Sequence, residues 1–262
     1  MAVLTIDKLT KSFGGLTAVS NVNIVVDKGE LVGIIGPNGA GKTTIFNMLT
    51  GVYKPSSGSM TLETADKGSI ELRGKKPYHV TALGLARTFQ NIRLYKEMTA
   101  LDNLRVAMHQ DIGYGFPTAI THIGKYFKEE KRLLSEAEEL LEIFHLGDKK
   151  NELAKNLPYG EQRHLEIVRA MATKPNLLLL DEPAAGMNPH ETQDLTEIIS
   201  KIRKDFDLTV ILIEHDMSLV MKICERIYVL DYGMVIAEGS PEVVKNDKKV
   251  IEAYLGEDMG DA

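Results

Sequence analysis

Apolar residues recur at every second position in an early segment of the chain, at Val22, Ile24 and Val26. This period of two predicts a β-strand with one buried face. Residues 31–35 then form the run Leu-Val-Gly-Ile-Ile, which predicts a strand covered on both faces. A helix is predicted from about residue 42 to residue 50, because a glycine follows where helices commonly end.

Strand-like and helical segments alternate in the C-terminal part of the chain. Apolar runs predict strands over residues 176–180, 209–213, 226–230 and 234–238, and short strands at 59–62 and 70–72. Helical spacing of apolar residues predicts helices over residues 161–172 and around 195–202. This alternation is typical of an α/β fold with much parallel strand pairing.

The middle of the chain has a different pattern. Leu133, Ala137 and Leu140 fall on one face of residues 128–144, which predicts an amphipathic helix with a solvated charged face. Residues 112–124 carry no charged side chain and contain glycines and a proline, so we expect a loop or short helix there.

The composition defines the class of protein but not its activity. Hydrophobic residues make up 44% of the 262 residues and charged residues 26%, which excludes a disordered or collagen-like chain. The 31 basic and 37 acidic side chains give a net charge of −6. Bulk charge therefore does not attract a polyanion, and any bound phosphate must be held by local geometry.

Neither a signal peptide nor an apolar run of the roughly 18 residues that a membrane span needs is recognisable, so composition predicts a cytosolic, soluble chain. The single cysteine, Cys224, lies in an amphipathic run and is expected to be a buried, inert thiol.

The most informative segment is residues 36–44, Gly-Pro-Asn-Gly-Ala-Gly-Lys-Thr-Thr, which matches the phosphate-binding loop G-x-x-x-x-G-K-[ST] at every fixed position. Its glycines let successive backbone N–H groups face phosphate oxygens, and the helix that starts at Lys42 adds its dipole. Lys42 would place a charge on the β- and γ-phosphates, and the Thr43 hydroxyl would coordinate Mg²⁺. Kinases, GTPases and motor ATPases share such a loop, so it does not identify the reaction.

A pair of carboxylates narrows the range of reactions that such a loop could serve. Asp181 and Glu182 follow a run of four leucines, and paired acids at the end of a buried strand need a functional reason for their cost. Asp181 is placed to hold the Mg²⁺ shell, and Glu182 to orient or deprotonate an attacking water. These roles suit hydrolysis of a nucleotide, but they do not by themselves exclude a kinase.

With these two sites, the chain resembles the nucleotide-binding subunits of ABC transporters over nearly its whole length, from about residue 4 to residue 255. The family's other motifs occur in the same order. They are Phe13 with Val19, the glutamine loop Thr88-Phe89-Gln90-Asn91, the signature loop at residues 157–162, the D-loop at residues 184–188, and the switch segment Ile213-Glu214-His215-Asp216.

The resemblance implies a role for each position. Phe13 stacks on adenine, and Val19 is the apolar contact beside it. Gln90 links Mg²⁺ and water to the transmembrane partner, and His215 contacts the γ-phosphate. The implied catalytic residues are Glu182, His215, Lys42 and Gln90. The implied ATP ligands are Phe13, Val19, Asn38, Gly39, Ala40, Gly41, Lys42, Thr43 and Thr44, and those of Mg²⁺ are Thr43, Gln90 and Asp181.

The resemblance also implies a fold. We expect a P-loop ABC-type ATPase of the α/β class, with an antiparallel β-subdomain, a mainly parallel core sheet and a helical subdomain. Residues 1–90 would be the first part of the ATP-binding core and residues 91–157 the helical subdomain. Residues 158–262 would be the second part of the core, with the signature loop, the Walker B strand end and the switch histidine.

The signature loop departs from the family's Leu-Ser-Gly-Gly-Gln. In the family this loop caps the γ-phosphate of ATP on the opposite subunit, so Pro158, Tyr159, Gly160 and Glu161 would act in trans. Pro158 has neither a hydroxyl nor a backbone N–H. Tyr159 restricts a backbone that glycine would leave free. In the D-loop, Asn188 replaces the common aspartate.

These departures favour a heterodimer over a homodimer. A homodimer would place the altered signature at both ATP sites. A second ATPase subunit with an intact signature would leave Lys42, Glu182 and His215 of this chain facing that intact loop, so this site would carry most of the hydrolysis.

The signature, the glutamine loop and the ending Val-Ile-Glu-Ala-Tyr-Leu-Gly at residues 250–256 most resemble the ATPases of branched-chain amino acid importers. The resemblance implies transmembrane permease subunits as partners, a solute-binding protein as an indirect one, and a peripheral location on the cytoplasmic face of the membrane. Urea or amide importers and the lipopolysaccharide-export ATPase are similar enough to remain alternatives.

Two rivals come from other classes. A soluble ABC ATPase acting on nucleic acid or the ribosome would carry a long coiled-coil insert, a second cassette or a basic stripe, and the sequence shows none of these. A small-molecule kinase leaves the signature loop and His215 unexplained.

Overall fold

The structure, a computed structural model, describes residues 1–64, 66–112 and 125–258. The predicted loop or short helix at residues 112–124 therefore lies outside the described residues, apart from Ile112. The strands are β1 (Ala2–Phe13), β2 (Leu16–Asp27), β3 (Leu31–Ile35), β4 (Ser57–Thr64), β5 (Gly68–Glu71), β6 (Leu85–Arg87), β7 (Leu177–Asp181), β8 (Thr209–Ile213), β9 (Arg226–Asp231) and β10 (Met234–Gly239). The helices are α1 (Lys42–Leu49), α2 (Pro77–Thr81), α3 (Ala100–Ala107), α4 (Lys125–Ile143), α5 (Tyr159–Met171), α6 (Pro189–Asp205), α7 (Met217–Ile223), α8 (Pro241–Lys245) and α9 (Lys248–Asp258).

The strands form two sheets. An antiparallel sheet has the order β2-β1-β4-β5. The core sheet has the order β10-β9-β3-β8-β7-β6, in which β10 pairs with β9 antiparallel and the other pairs are parallel. The predicted combination of an antiparallel β-subdomain, a mainly parallel core sheet and helices is confirmed.

The parallel strands carry the site because their carboxyl ends lie at one edge of the sheet. The loop at residues 36–41 follows β3, the switch segment follows β8, Glu182 follows β7, and the glutamine loop follows β6. Since β3, β8, β7 and β6 are successive neighbours, segments that are far apart in sequence become adjacent.

Side chains alternate between the two faces of the core sheet. Val32 and Ile34 pack into an apolar cluster shared with the antiparallel sheet and α1, whereas Leu31 and Ile35 pack into a cluster shared with α5 and α6. All five residues of β3, of β7 and of β8 are buried, so the runs predicted to be covered on both faces are so covered.

The predicted amphipathic helix is α4. It buries Leu133, Ala137 and Leu140, while its other face carries ion pairs such as Arg132 with Glu136 at 2.6 Å. In the part of the chain that the structure describes, no helix is both long enough and apolar enough to cross a bilayer.

Two elements near the site differ from the sequence-based prediction. α5 begins at Tyr159 rather than at residue 161, because Pro158 has a fixed φ, here −53°, and serves as the N-cap. The sequence did not predict β6, which is only 3 residues long and therefore too short for a periodic pattern.

Candidate nucleotide-binding and hydrolysis site

The loop after β3 requires glycine at particular positions. Gly36, Gly39 and Gly41 have φ of 145°, 78° and 102°, which lie in the region that favours glycine. A Cβ on Gly36 would lie 2.0 Å from the Leu230 carbonyl oxygen, and one on Gly41 would lie 2.6 Å from that of Ala18. At Gly36 and Gly41 the loop therefore packs so closely against neighbouring backbone that it forms a tight cradle in which no other residue fits.

The Lys42 side chain folds back onto this loop. Its ammonium donates to the carbonyl oxygens of Gly36 at 2.5 Å and Pro37 at 2.8 Å, and its side chain is buried. Gly41 is the N-cap of α1, where no side chain caps the helix, so the first-turn N–H groups can serve a bound anion. Asn38, Gly39 and Thr43 are exposed, Thr44 is half-buried and Ala40 is buried.

An aromatic side chain lies at the end of β1. Phe13 is 41% exposed and meets the Tyr53 ring edge to face, with 5.3 Å between ring centroids. The Lys11 ammonium lies 4.7 Å from the Phe13 centroid. Val19 is buried beside the cradle, since its Cγ2 would lie 3.2 Å from a Cβ on Gly41. The predicted adenine contacts of Phe13 and Val19 stay predictions.

Asp181 is held by an arginine that the sequence did not single out. Arg87 Nη2 donates to Asp181 Oδ2 at 2.7 Å, and the same guanidinium donates to Asn47 Oδ1 of α1 at 2.7 Å. Arg87 thus links the carboxylate at the end of β7 to the helix of the phosphate-binding loop.

Glu182 is the point at which three predicted catalytic side chains meet. Gln90 Nε2 donates to Glu182 Oε2 at 2.6 Å, and His215 Nε2 lies 2.6 Å from Glu182 Oε1. Glu182 has φ of 48°, a left-handed backbone conformation that is uncommon for a residue other than glycine. The structure therefore gathers Glu182, Gln90 and His215, which belong to three separate sequence motifs, into one cluster.

A second buried carboxylate joins the segments on either side of Glu182. Glu214 accepts hydrogen bonds from the backbone N–H of Ala184 at 2.7 Å and of His215 at 2.9 Å. Burial raises the pKa of Glu214, and these N–H donors partly oppose that rise. Glu214 therefore fastens the start of the D-loop to the switch segment.

The altered signature loop forms the first turn of α5. Pro158 is the N-cap, and no side chain caps this turn, so the N–H groups of Tyr159, Gly160 and Glu161 belong to an uncapped helix start. The Tyr159 hydroxyl donates to the Ala185 carbonyl oxygen at 2.8 Å, and Glu161 forms an ion pair with Lys149. A helix N-terminus thus offers anion-binding groups where the serine hydroxyl is lost.

An ion pair buried in α5 holds the glutamine loop. Arg163 lies 3.2 Å from Glu166 and donates to the carbonyl oxygens of Phe89, at 2.8 Å, and Gln90. Glu166 also accepts from the Arg93 N–H at 3.0 Å, and burial raises the pKa of its carboxyl.

Sequence reasoning missed Arg87, Arg163, Glu166 and Glu214. The available signal was weak: Arg163 and Glu166 stand at i,i+3 spacing within an apolar helical pattern, and Glu214 directly follows a buried strand. Their partners lie in distant segments, which the pattern does not reveal.

Comparison with known families gives two matches. Residues 19–185, more than half of the chain, match the ABC transporter family. Residues 234–259 match the family described as branched-chain amino acid ATP-binding cassette transporter.

Individual relatives agree with these matches. The chain is 46% identical over 255 residues to the high-affinity branched-chain amino acid transport ATP-binding protein LivG of Salmonella typhimurium, covering 97% of this chain and 98% of that protein. It is 45% identical, with the same coverage, to the high-affinity branched-chain amino acid transport ATP-binding protein BraF of Pseudomonas aeruginosa. Among solved structures, the ADP conformation of MJ1267, an ATP-binding cassette of an ABC transporter, superimposes with a TM-score of 0.83 at 32% identity, covering 98% of this chain and 99% of that chain.

Proposed function

The chain belongs to the ABC transporter family, and from that premise we propose that it is the ATP-hydrolysing subunit of a membrane importer for branched-chain amino acids. The amino acid specificity is supported by 46% identity over nearly the full length to a branched-chain amino acid transport ATP-binding protein. The family match at residues 234–259 supports the same substrate class. The observation that carries the hydrolytic role is the cluster in which Gln90 and His215 both contact Glu182.

The phosphates of ATP fit the cradle after β3. Gly36 and Gly41 allow the close backbone packing that shapes the cradle, and the uncapped start of α1 supplies N–H donors. Lys42, held over the loop, would stabilise the charge that develops on the transferred phosphate. The exposed ring of Phe13 is the surface on which adenine would stack.

Thr43, Gln90 and Asp181 would hold Mg²⁺. A hydroxyl, an amide oxygen and a carboxylate form the all-oxygen donor set that this ion prefers, and Gln90, which donates through Nε2, keeps its Oε1 for a ligand. When bound, the ion would neutralise part of the phosphate charge.

Glu182 would orient the attacking water and take its proton. Its two oxygens are fixed by different segments, since Gln90 follows β6 and His215 follows β8. A carboxylate held from two sides presents its lone pairs in a defined direction, which general-base catalysis requires. His215 would also contact the γ-phosphate, which would connect Glu182 to the bound ATP.

The partners are transmembrane permease subunits, which ATPases of ABC importers drive. We place this chain on the cytoplasmic face of the membrane, with the region at residues 91–157 transmitting motion to the permeases and the two flanking segments forming the ATP-binding core. A solute-binding protein would act only through the permeases.

The ATPase pair is proposed to be a heterodimer. Pro158 and Tyr159 replace the serine and first glycine of the usual signature, and α5 offers its backbone N–H groups in their place. A second ATPase subunit with an intact signature would complete the ATP site formed by Lys42, Glu182 and His215. Full ATPase activity of the pure homodimer, unchanged by a second subunit, would contradict this.

The test of the hydrolytic role uses the purified transporter complex. E182Q should retain ATP binding but lower hydrolysis about 10²–10⁴-fold, because the amide cannot accept the proton of water. E197Q, which changes an exposed carboxylate on α6, is the matched control. Normal turnover of E182Q would remove Glu182 from its proposed role.

The substrate class needs a separate test. In vesicles containing the reconstituted complex and its solute-binding protein, ATP-dependent uptake of leucine is expected, and uptake of urea is not. The opposite preference would assign the chain to a different importer, and the absence of uptake of either solute would leave the export ATPases as the better match.

A further inference from the structure

Tyr159, which stands where the usual signature has glycine, contacts the D-loop of its own chain. Its hydroxyl donates to the Ala185 carbonyl oxygen at 2.8 Å. Its ring lies against Gly186, where an added Cβ would be 3.2 Å from the Tyr159 Cε1 atom. One side chain thus uses both its polar end and its ring on the same short segment.

That segment fixes the backbone of Glu182. The Ala185 N–H donates to the Glu182 carbonyl oxygen at 3.2 Å, which closes a turn over residues 182–185. Glu182 has a left-handed φ of 48°, a conformation that persists for a glutamate only where its surroundings impose it. Glu214 holds this turn through the Ala184 N–H at 2.7 Å, and Tyr159 holds it through the Ala185 carbonyl.

Arg163, on the same face of α5 as Tyr159, contacts the glutamine loop, which approaches Glu182 from the other side. The Arg163 guanidinium lies 5.6 Å from the centroid of the Tyr159 ring and donates to the Gln90 carbonyl oxygen. The Gln90 side chain in turn donates to Glu182 at 2.6 Å. The start of α5 therefore contacts both segments that approach this carboxylate.

We propose that Tyr159 is a positioning residue for Glu182 of its own chain, acting through the Ala185 carbonyl and the turn at residues 182–185. This role is additional to any contact of the signature loop with ATP on the opposite subunit, and it rests on the proposed function of Glu182. Glycine, the usual residue, has no side chain with which to make this link.

The experiment measures steady-state ATP hydrolysis by the purified transporter complex. Y159F keeps the ring against Gly186 and Arg163 but removes the hydroxyl. We expect kcat to fall about fivefold, the effect of one neutral hydrogen bond, with KM for ATP unchanged. Y78F is the matched control, because Tyr78 is 61% exposed and lies on α2. An unchanged thermal midpoint would show that the fold is intact.

Two further complexes, in both of which this chain carries Y159F, show whether Tyr159 acts on Glu182 of its own chain or on the ATP site of the opposite subunit. In the first, the catalytic glutamate of the second ATPase subunit is replaced by glutamine, so that only Glu182 hydrolyses ATP. In the second, E182Q silences this chain, so that only the other subunit does. If both subunits are copies of this chain, the first pairs a Y159F copy with an E182Q copy, and the second pairs a Y159F/E182Q copy with an unmodified one.

The proposal expects Y159F to slow the first complex and to spare the second. Slowing of the second complex alone, equal slowing of both, or no slowing of either would overturn it. A raised KM without a change in kcat would also overturn it, because that result indicates ATP contact and not alignment of Glu182. If hydrolysis survives silencing of both catalytic glutamates, the proposed function of Glu182 fails, independently of Tyr159.

Discussion

Arg87 and Asp181 form a buried ion pair at the end of β7, beside Glu182 in the candidate site. Their 2.7 Å contact joins β6 to β7, and the two side chains are only 5% and 3% exposed. Arg87 also donates to Asn47 and, at 3.3 Å, to Thr50. This arginine therefore ties a predicted Mg²⁺ ligand to the helix that follows the phosphate-binding loop.

Replacing Arg87 by methionine should destabilise the protein. The variant leaves the Asp181 carboxylate buried without its cation, and breaking a buried pair in this way costs about 3–5 kcal/mol. Urea unfolding followed by circular dichroism measures the change. R73M, which alters an exposed arginine, should have little effect. R87M/D181L should recover part of the loss, since no charge is then left unpaired; equal stabilities of R87M and the unmodified chain would refute this account.

Alanine at Gly41 should abolish ATP binding. The backbone there has φ of 102°, and the new Cβ would lie 2.6 Å from the Ala18 carbonyl oxygen, so the cradle must deform. Binding of a fluorescent ATP analogue checks this. G15A is the control, because Gly15 has no left-handed φ and an added Cβ meets nothing within 4 Å. Similar affinities of both variants would contradict the cradle geometry.

The H215A variant should lose most of its ATP hydrolysis but keep its affinity for ADP. His215 touches Glu182 and is proposed to contact the γ-phosphate, which ADP lacks. We expect kcat of H215A to fall about 10²–10³-fold, the usual cost of losing a donor to developing charge, while ADP affinity stays unchanged. Equilibrium titration with each nucleotide and steady-state hydrolysis provide the measurements. An equal loss of affinity for both nucleotides would indicate a general structural defect.

Mild acid should lower the free energy of unfolding, because His164 is buried in the folded chain. Burial lowers the pKa of this imidazole in the folded chain, whereas the unfolded residue keeps its ordinary value of about 6.5. Below that value the unfolded state binds a proton that the folded state does not, so stability falls with falling pH, by up to about 1.4 kcal/mol per unit.

The pH dependence is measured by urea unfolding above and below the ordinary histidine pKa. H164Q should show a smaller loss on acidification than the unmodified chain, and H190Q, at an exposed histidine of α6, should show the same loss. A parallel pH profile for H164Q would exclude His164 as the source.

The lone thiol should be unreactive until the protein unfolds. Cys224 is buried, and burial raises its pKa to about 12, so the nucleophilic thiolate is scarce near neutral pH. A chromogenic disulfide reagent should react at once in denaturant and slowly in native buffer. Rapid modification of the native protein would contradict the predicted inert thiol.

Local patterns account for much that the sequence could predict. The alternation of apolar residues in β2 and the continuous runs of β3, β7 and β8 reflect burial on one face or two, a property of neighbouring residues. The phosphate-binding loop is likewise local, because its left-handed glycines and the helix start lie within one short segment. The sequence alone therefore determined the fold class and the phosphate-binding loop, and its resemblance to a family named Gln90 and His215 as catalytic candidates.

Only the tertiary structure decided how these candidates are held. Arg87 and Asp181 are 94 residues apart, and Gln90 and Glu182 are 92 apart; each pair meets because β6 and β7 are parallel neighbours that end at the same edge. In the sequence, Tyr159 is recognisable only as a departure from the signature motif. Its contact with Ala185, 26 residues away, exists because α5 packs beside the loop after β7. Strand order and helix packing set such distances, and neither is encoded in the residues that surround any one motif.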